Sequence, residues 1–425
     1  MNAAQITLII GIFMLISYIL GKLPYGMTAI ACCLALDVSG VLTTGEAWGG
    51  FGNSTVFLFA AVFVLGAGFM KTSFTGHMHN FVKKYGNSES KVRWICMIMA
   101  SILSMLTSAT ASGATMLPML DVICEQGNYS KSRIYKAVMD VSCISFAIMP
   151  FGMGAAFIEQ GNEILEASGD ALRMSVLDSA IVRIPVLICV ILYIGLIGYR
   201  FLPDNKMSVT EEHETVKKAK KELDPLRDKL GIIIFFASIV AMVISSFISV
   251  PSHYAALAGS LLMVATGVLT GKEAFQSIDL NTVCIFGGSL SFSTAMTKTG
   301  LAVSISDALS SITNQNMSQI LLVAIFLMVP FCMTQFMGNI PVINLTMPIA
   351  AAIAVGGGFN PTAIMIATIA GATLSVATPM AAGIQALIMG PADYKFTDYL
   401  RAGLPVALVY LIVYAVWAPI AFPLF

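Results

Sequence analysis

Thr334 to Pro348 reads TQFMGNIPVINLTMP, a small and polar break inside an otherwise apolar segment. It has a counterpart in Ser104 to Pro118, SMLTSATASGATMLP. Placed 230 positions apart, the two align at their closing prolines, Pro118 and Pro348, and set Ser108-Ala109-Thr110 opposite Gly338-Asn339-Ile340. Two copies of one irregular element point to one shared site.

The copies belong to a longer repeat. Residues 40–72 read GVLTTGEAWGGFGNSTVFLFAAVFVLGAGFMKT, and 227 positions later the chain reads GVLTGKEAFQSIDLNTVCIFGGSLSFSTAMTKT. At that offset Gly40, Val41, Leu42, Thr43, Glu46, Ala47, Thr55, Val56, Phe59, Lys71 and Thr72 each meet an identical residue. Unrelated apolar helices often share Leu, Ala and Val, but rarely Glu, Lys and Thr together in one ungapped frame. The chain therefore reads as an internal duplication.

Its 425 residues are 57% hydrophobic and 11% charged, with no net formal charge. That composition departs from a soluble domain and indicates an all-α polytopic membrane protein. It gives no reason to expect nucleic acid as a partner. Met1 leads within a few residues into the first apolar segment, with no basic start and no small-residue cleavage site. The first helix is thus expected to be its own insertion signal. Eight cysteines lie mostly in apolar segments without C-x-x-C spacing and read as small core residues. His77, His79, His213 and His253 sit in connecting regions and form no ligand pair on a long helix, so no metal cofactor is expected. Ser112-Gly113 or Cys332 could be imagined as a nucleophile, but no base stands beside either in sequence, and the chain reads as no enzyme.

Apolar segments of membrane-spanning length run at about 6–20, 26–42, 55–70, 134–165 and 180–202 in the first half. The second half has them at about 232–250, 254–269, 282–295, 361–388 and 404–425. Between the third and fourth of each set lies one of the quoted breaks, within 94–124 and 320–352. In the first copy each arm has about 11 to 13 apolar residues, short of the roughly 20 that a crossing needs, so both segments are expected to be re-entrant hairpins. Irregular backbone at membrane depth is tolerated only inside protein or beside a water-filled cavity, which makes the tips a candidate site. The fourth span of each half is broken as well, at Met149 to Gly154 and at Ala377-Thr378-Pro379, with Pro379 opposite Pro150.

Lysine and arginine positions select the topology. Hairpins that enter and leave on one side give five crossings per half and put 20 of the 23 basic residues on one face, leaving Arg173, Arg183 and Lys298 opposite. Five is odd, so the repeats, 1–202 and 230–425, are expected to be inverted, joined by a cytoplasmic linker at 203–229. Both termini then lie outside, in the plasma (inner) membrane. The hairpin at 94–124 enters from the cytoplasm and that at 320–352 from outside.

Inverted repeats with discontinuous helices are the architecture of secondary transporters. Helix N-termini at the tips offer N–H groups to an anion, and unwound carbonyls can hold a cation such as sodium. Ser104, Ser108, Thr110, Thr334 and Asn339 add side-chain oxygens. Asp37, Asp140 and Glu159 are the intramembrane carboxylate candidates, each placed nearer a span end than the midplane, which favours sodium over proton coupling.

These residues resemble the divalent anion:sodium symporter family of the ion transporter superfamily, whose two Ser-Asn-Thr motifs sit at the tips of an inward and an outward hairpin. Ser108-Ala109-Thr110 and Gly338-Asn339-Ile340 stand at the matching places, and Leu374 to Pro405 looks like the family's second break and the start of its last span. The resemblance implies a sodium-coupled symporter of a di- or tricarboxylate or similar organic anion, working as an elevator in a homodimer within the lipid bilayer. It implies a first sodium site from Ser104, Ser108 and the stretch near Pro150 to Gly154. A second is implied at Thr334, Met337, Asn339 and the Ala377 carbonyl. Substrate is implied to touch Ser108, Thr110, Gly338, Asn339, Thr378 and Pro379. Ala109 stands where the family has asparagine and Ile340 where it has a hydroxyl, so sodium-independent exchange, proton linkage or export is the competing reading.

Overall fold

Helices in this protein follow the apolar runs, and they stop where glycine, proline or a capping side chain offers the backbone another partner. The computed structural model describes residues 2–20, 22–168, 172–204, 223–247, 250–301, 304 and 319–423. Every regular element among them is helical. The first half contributes α1 (Ala3–Leu20), α2 (Tyr25–Val38), α3 (Thr44–Gly49), α4 (Ser54–Lys71), α5 (Phe74–Tyr85), α6 (Glu89–Leu106), α7 (Ala109–Gly127), α8 (Lys131–Ser145), α9 (Met153–Ala167) and α10 (Asp178–Leu196). The second contributes α11 (Pro225–Phe247), α12 (Ser252–Ala265), α13 (Gly271–Ser277), α14 (Leu280–Lys298), α15 (Gln319–Thr334), α16 (Asn339–Gly357), α17 (Pro361–Thr373), α18 (Gly383–Leu387) and α19 (Phe396–Ala421).

Among the described residues, five helical segments are long and apolar enough to cross a membrane: Thr44–Lys71, Asp178–Leu196, Pro225–Ser245, Asn339–Gly357 and Phe396–Ala421. Five more apolar helices are shorter. The fold is that of an integral membrane protein.

The two halves hold each other through exchanged contacts. Lys71 pairs with Glu273 and Lys298 with Glu46, both at 2.7 Å, and the four residues are two pairs of repeat equivalents. Phe59 and its equivalent Phe286 stack on one another, ring centroids 3.3 Å apart and 15° from parallel. Helix α2 packs on α14 as α12 packs on α4. Residues that meet their own equivalents in this way lie about a two-fold relation. Local structure repeats too. Thr43 and Thr270 each close a capping box with a glutamate three residues on. Hairpin arms α7 and α16 both end on a left-handed C-cap, at Asn128 and Gly358.

Three expectations need correction. The hairpin arms are longer than the apolar count suggested: α6 has 18 residues, α7 and α16 have 19, and α16 is itself long enough to span. Hydropathy registers only the apolar part of an arm, whereas the helix runs on into polar ends held by the Ser88 cap and by Asn128. Arm length therefore does not separate re-entry from crossing. The two arms of the first segment do pack side by side, Ser112 Oγ of α7 donating to the Ala100 carbonyl of α6 at 3.0 Å. Second, α11 starts at Pro225, inside the stretch read as linker; 205–222 lie outside the described residues. Third, Cys189 and Cys332 are exposed rather than in the core, while Cys32, Cys33, Cys96, Cys124 and Cys143 are buried.

Candidate functional site

At the first tip the chain turns in two residues. Ser108 takes an extended conformation and caps α7, its Oγ accepting from the Ala111 N–H at 3.1 Å. The first-turn N–H groups of α7 consequently face the tip. Ser104, one turn back on α6, is buried and donates to the Ser142 carbonyl near the end of α8 at 2.6 Å. That bond fastens the tip to the first broken helix. Ser112 reaches Ser142 Oγ at 3.2 Å from the other arm.

The second tip repeats the plan with different atoms. Gly338 is the extended N-cap of α16 and has no side chain to close the first turn. Thr334 Oγ1 donates to Asn339 Oδ1 at 3.0 Å, so the residues flanking the tip meet across it. Gln335, next in the chain, accepts from the Ala377 N–H and donates to the Leu374 carbonyl, both at 3.0 Å. Thr378 Oγ1 donates to the Gln335 carbonyl at 2.5 Å. Ala377 and Thr378 are thus bound to the second tip.

Both broken helices expose carbonyls that no helix satisfies, and a buried cation meets each set. Helix α8 ends at Ser145, and Ala147 follows with φ of 58°, a left-handed conformation costly for a side-chain-bearing residue. Arg183 of α10, fully buried, donates to the carbonyls of Ile144 (3.1 Å), Phe146 (2.9 Å) and Ala147 (3.0 Å) and accepts nothing in return. Its guanidinium also reaches Thr373 Oγ1 at 2.7 Å, tying the end of α17 to the first break. At the second break Lys136 of α8 donates to the Val376 carbonyl at 2.7 Å and pairs with Asp140 one turn further on. Gln385 of α18 donates to the same Asp140 oxygen at 2.8 Å.

Set against the sequence expectations, Thr334, Asn339, Ala377 and Thr378 come together around Gln335, with Met337 and Pro379 buried beside them. Ser104 is brought to α8, and Gly152 of the first break lies close enough that a Cβ there would stand 3.9 Å from the Leu106 carbonyl. Ser108, Gly338 and Asn339 are half-buried and Thr110 is exposed. No hydrogen bond among the described residues joins Ser108 or Thr110 to Gly338 or Asn339. The hairpins are linked through the opposite half instead: α7 packs on α18 and α16 on α9. A Cβ on Gly113 would come within 2.7 Å of Ile384 Cγ2, so that contact is tight. Asp37 is a helix-end partner of Trp48 Nε1 (2.9 Å) and Thr44. Asp140 is the carboxylate inside the site.

Lys136, Arg183, Gln335 and Gln385 were not among the expected site residues. A signal existed for two of them: Lys136 and Asp140 are spaced i, i+4, and Arg183 interrupts the apolar run from Ile181 to Leu196. A cavity of about 410 Å³ between α1, α14, α15 and α16 is lined by side chains such as Leu8, Ile12, Phe292 and Val329. Its apolar lining suits hydrocarbon, not an anion.

A family model described as a citrate transporter matches residues 13–371. A Haemophilus influenzae protein described as an uncharacterized transporter is 25% identical, the match covering 95% of this chain and 88% of that protein. The sodium-dependent dicarboxylate transporter SdcS of Staphylococcus saprophyticus is 21% identical, with 95% and 84% covered. Among solved structures the Alcanivorax borkumensis YdaH transporter shares the fold at a TM-score of 0.66 and 13% identity, covering 90% of this chain and 88% of its own.

Proposed function

Because this chain belongs to the citrate transporter family and is a secondary transporter in an all-helical membrane fold, we propose that it carries a di- or tricarboxylate or similar organic anion by sodium-coupled symport. The observation that carries this reading is that each hairpin tip, with its side-chain oxygens and helix N-terminus, is bound to the broken helix of its own half. An anion is held by first-turn N–H groups and hydroxyls of Ser108, Thr110, Gly338, Asn339, Thr378 and Pro379's neighbouring backbone. Sodium is held by Ser104, Ser108 and the first break. Thr334, Met337, Asn339 and Ala377 form a second cation position. The SdcS name supports sodium and dicarboxylate as the pair to test first.

The topology belongs to the same proposal. The two halves are inverted repeats joined inside the cell by the stretch between Leu202 and Pro225, both termini lie outside, and the hairpins at 94–124 and 320–352 enter from opposite sides. The exchanged Lys–Glu pairs and the Phe59–Phe286 stack support that arrangement. Each hairpin packs on the broken helix of its own half, α6 on α8 and α15 on α17, which supports their moving together as the elevator of a homodimer.

Uptake of labelled mono-, di- and tricarboxylates into proteoliposomes, driven by inward sodium, potassium or proton gradients, tests the reading. Sodium-driven uptake of one of these anions is expected, and Asn339→Ala should lower it about tenfold or more by removing a half-buried side-chain ligand at the second tip. Uptake indifferent to sodium would overturn the coupling and favour exchange or proton linkage, the reading that Ala109 and Ile340 also suit.

A further inference from the structure

We propose that Lys136 is a tethered cation at the second break, held by the Val376 carbonyl and Asp140, so that its ammonium stands in for a mobile coupling ion there. The inference rests on the transport reading above for its meaning, but its geometry stands by itself. Lys136 lies in a stretch of α8 whose residues 134–145 are all buried, and it is only 1% exposed. Lysine is rarely buried without a reason, because taking an ammonium out of water is costly. Here Nζ donates to the Val376 carbonyl at 2.7 Å. That oxygen is one residue from Ala377, whose carbonyl was the expected sodium ligand.

Every element around the ammonium supplies what a bound cation would need. Asp140, on the same helix, gives the negative charge. The second break gives the Val376 carbonyl. Helix α18 gives Gln385, which donates to Asp140 at 2.8 Å and to the Ser375 carbonyl at 3.2 Å and so fixes both ligands. Helix α19 lays the Tyr399 ring 5.3 Å from Nζ, and the Tyr399 hydroxyl in turn donates to the Gln385 carbonyl at 2.5 Å. Tyr394, between α18 and α19, accepts from the Lys136 backbone N–H at 3.2 Å. A carboxylate, a carbonyl at an unwound helix end and an aromatic face make a cation site, and the lysine already fills it.

The equivalent carbonyl in the first half shows the same economy. Ala147 and Val376 each stand three residues before their break proline, Pro150 and Pro379, and Ala147 is met by Arg183. Neither Lys136 nor Asp140 has a charged equivalent, since at the 229-position offset of the two breaks stand Met365 and Ile369. The pair is specific to one half.

The number of sodium ions bound per chain at saturation, counted by equilibrium dialysis of the purified protein with radiolabelled sodium, tests the proposal. Wild type should bind no more than one. Lys136→Gln, which leaves Asp140 uncompensated beside Val376, should bind one more than wild type, and Lys136→Arg should match wild type. Two sodium ions on wild type would overturn the proposal, and so would a folded Lys136→Gln protein with no gain. Should Lys136→Gln fail to fold, the wild-type count decides alone. Absence of anion uptake in proteoliposomes would sink the transport reading without touching this count.

Discussion

The two broken helices are copies of one element, yet they are held in different ways. The first depends on a single residue: Arg183 takes the carbonyls of Ile144, Phe146 and Ala147 together and bridges to Thr373. The second is shared among Lys136, Gln335 and Gln385, which come from three elements and take Val376, Leu374 with Ala377, and Ser375. A guanidinium presents five donors in a rigid fork, so one arginine can close a break that takes three side chains elsewhere. The first break is consequently a fixed joint carrying a positive charge. The second is charge-balanced by Asp140 and wired to the second hairpin tip through Gln335.

That contrast predicts a ranking. Arg183→Met should cost the most, about 3–5 kcal/mol, because several buried carbonyls lose their donor at once. Thermal melting and size-exclusion profiles in detergent should show an unstable protein. Gln335→Leu removes its two bonds to the break, and one to the Phe331 carbonyl, while Lys136 and Gln385 remain, and should cost about 2 kcal/mol. Equal losses in the two variants would end the contrast.

Two glycines sharpen it. A Cβ on Gly154 would stand 2.1 Å from the Met149 carbonyl, and one on Gly403 would stand 2.1 Å from the Val376 carbonyl. Both obstacles are backbone, so each alanine should cost about 1–3 kcal/mol. Gly154→Ala strains a joint that Arg183 keeps rigid and should mainly lower the melting temperature. Gly403→Ala displaces the carbonyl that Lys136 holds, so proteoliposome uptake should fall by more than stability does.

The smallest effect belongs outside the site. Hydrogen bonds from the Lys71 ammonium, with those from Thr270, hold the Glu273 carboxyl down at about 2. A depressed carboxylate stabilises the fold above its unfolded value near 4.5, and that contribution fades as pH falls toward 2. The pair is partly exposed, so Glu273→Gln should cost less than about 1 kcal/mol at neutral pH, and the variant and wild type should converge in acid melts.

Much of the fold could be read from the chain because the duplication is written in caps and ion pairs. Thr43 with Glu46 and Thr270 with Glu273 are identical in the two halves and make the same local structure. The breaks were legible from Pro150, Gly154 and Pro379, although α8 stops at Ser145, earlier than the proline suggests, because Arg183 supports carbonyls that had no helical partner left. What holds the site was less legible. Lys136 and Arg183 entered only the count of basic residues on each face. Their partners lie 240 and 36 positions away, at Val376 and Ala147, and such separations mean nothing until the helices are packed. Gln335 was passed over because its equivalent in the first half is Met105, so the repeat gave it no emphasis.

The exchanged pairs Lys71–Glu273 and Lys298–Glu46, with the Phe59–Phe286 stack between equivalents, form the kind of interface that joins two identical subunits. Here both subunits travel on one polypeptide. Their encounter is therefore set by tether length, as in any linked pair, and the association becomes a first-order step of folding. However sparsely the chain is distributed in its membrane, its two halves meet at the same effective concentration.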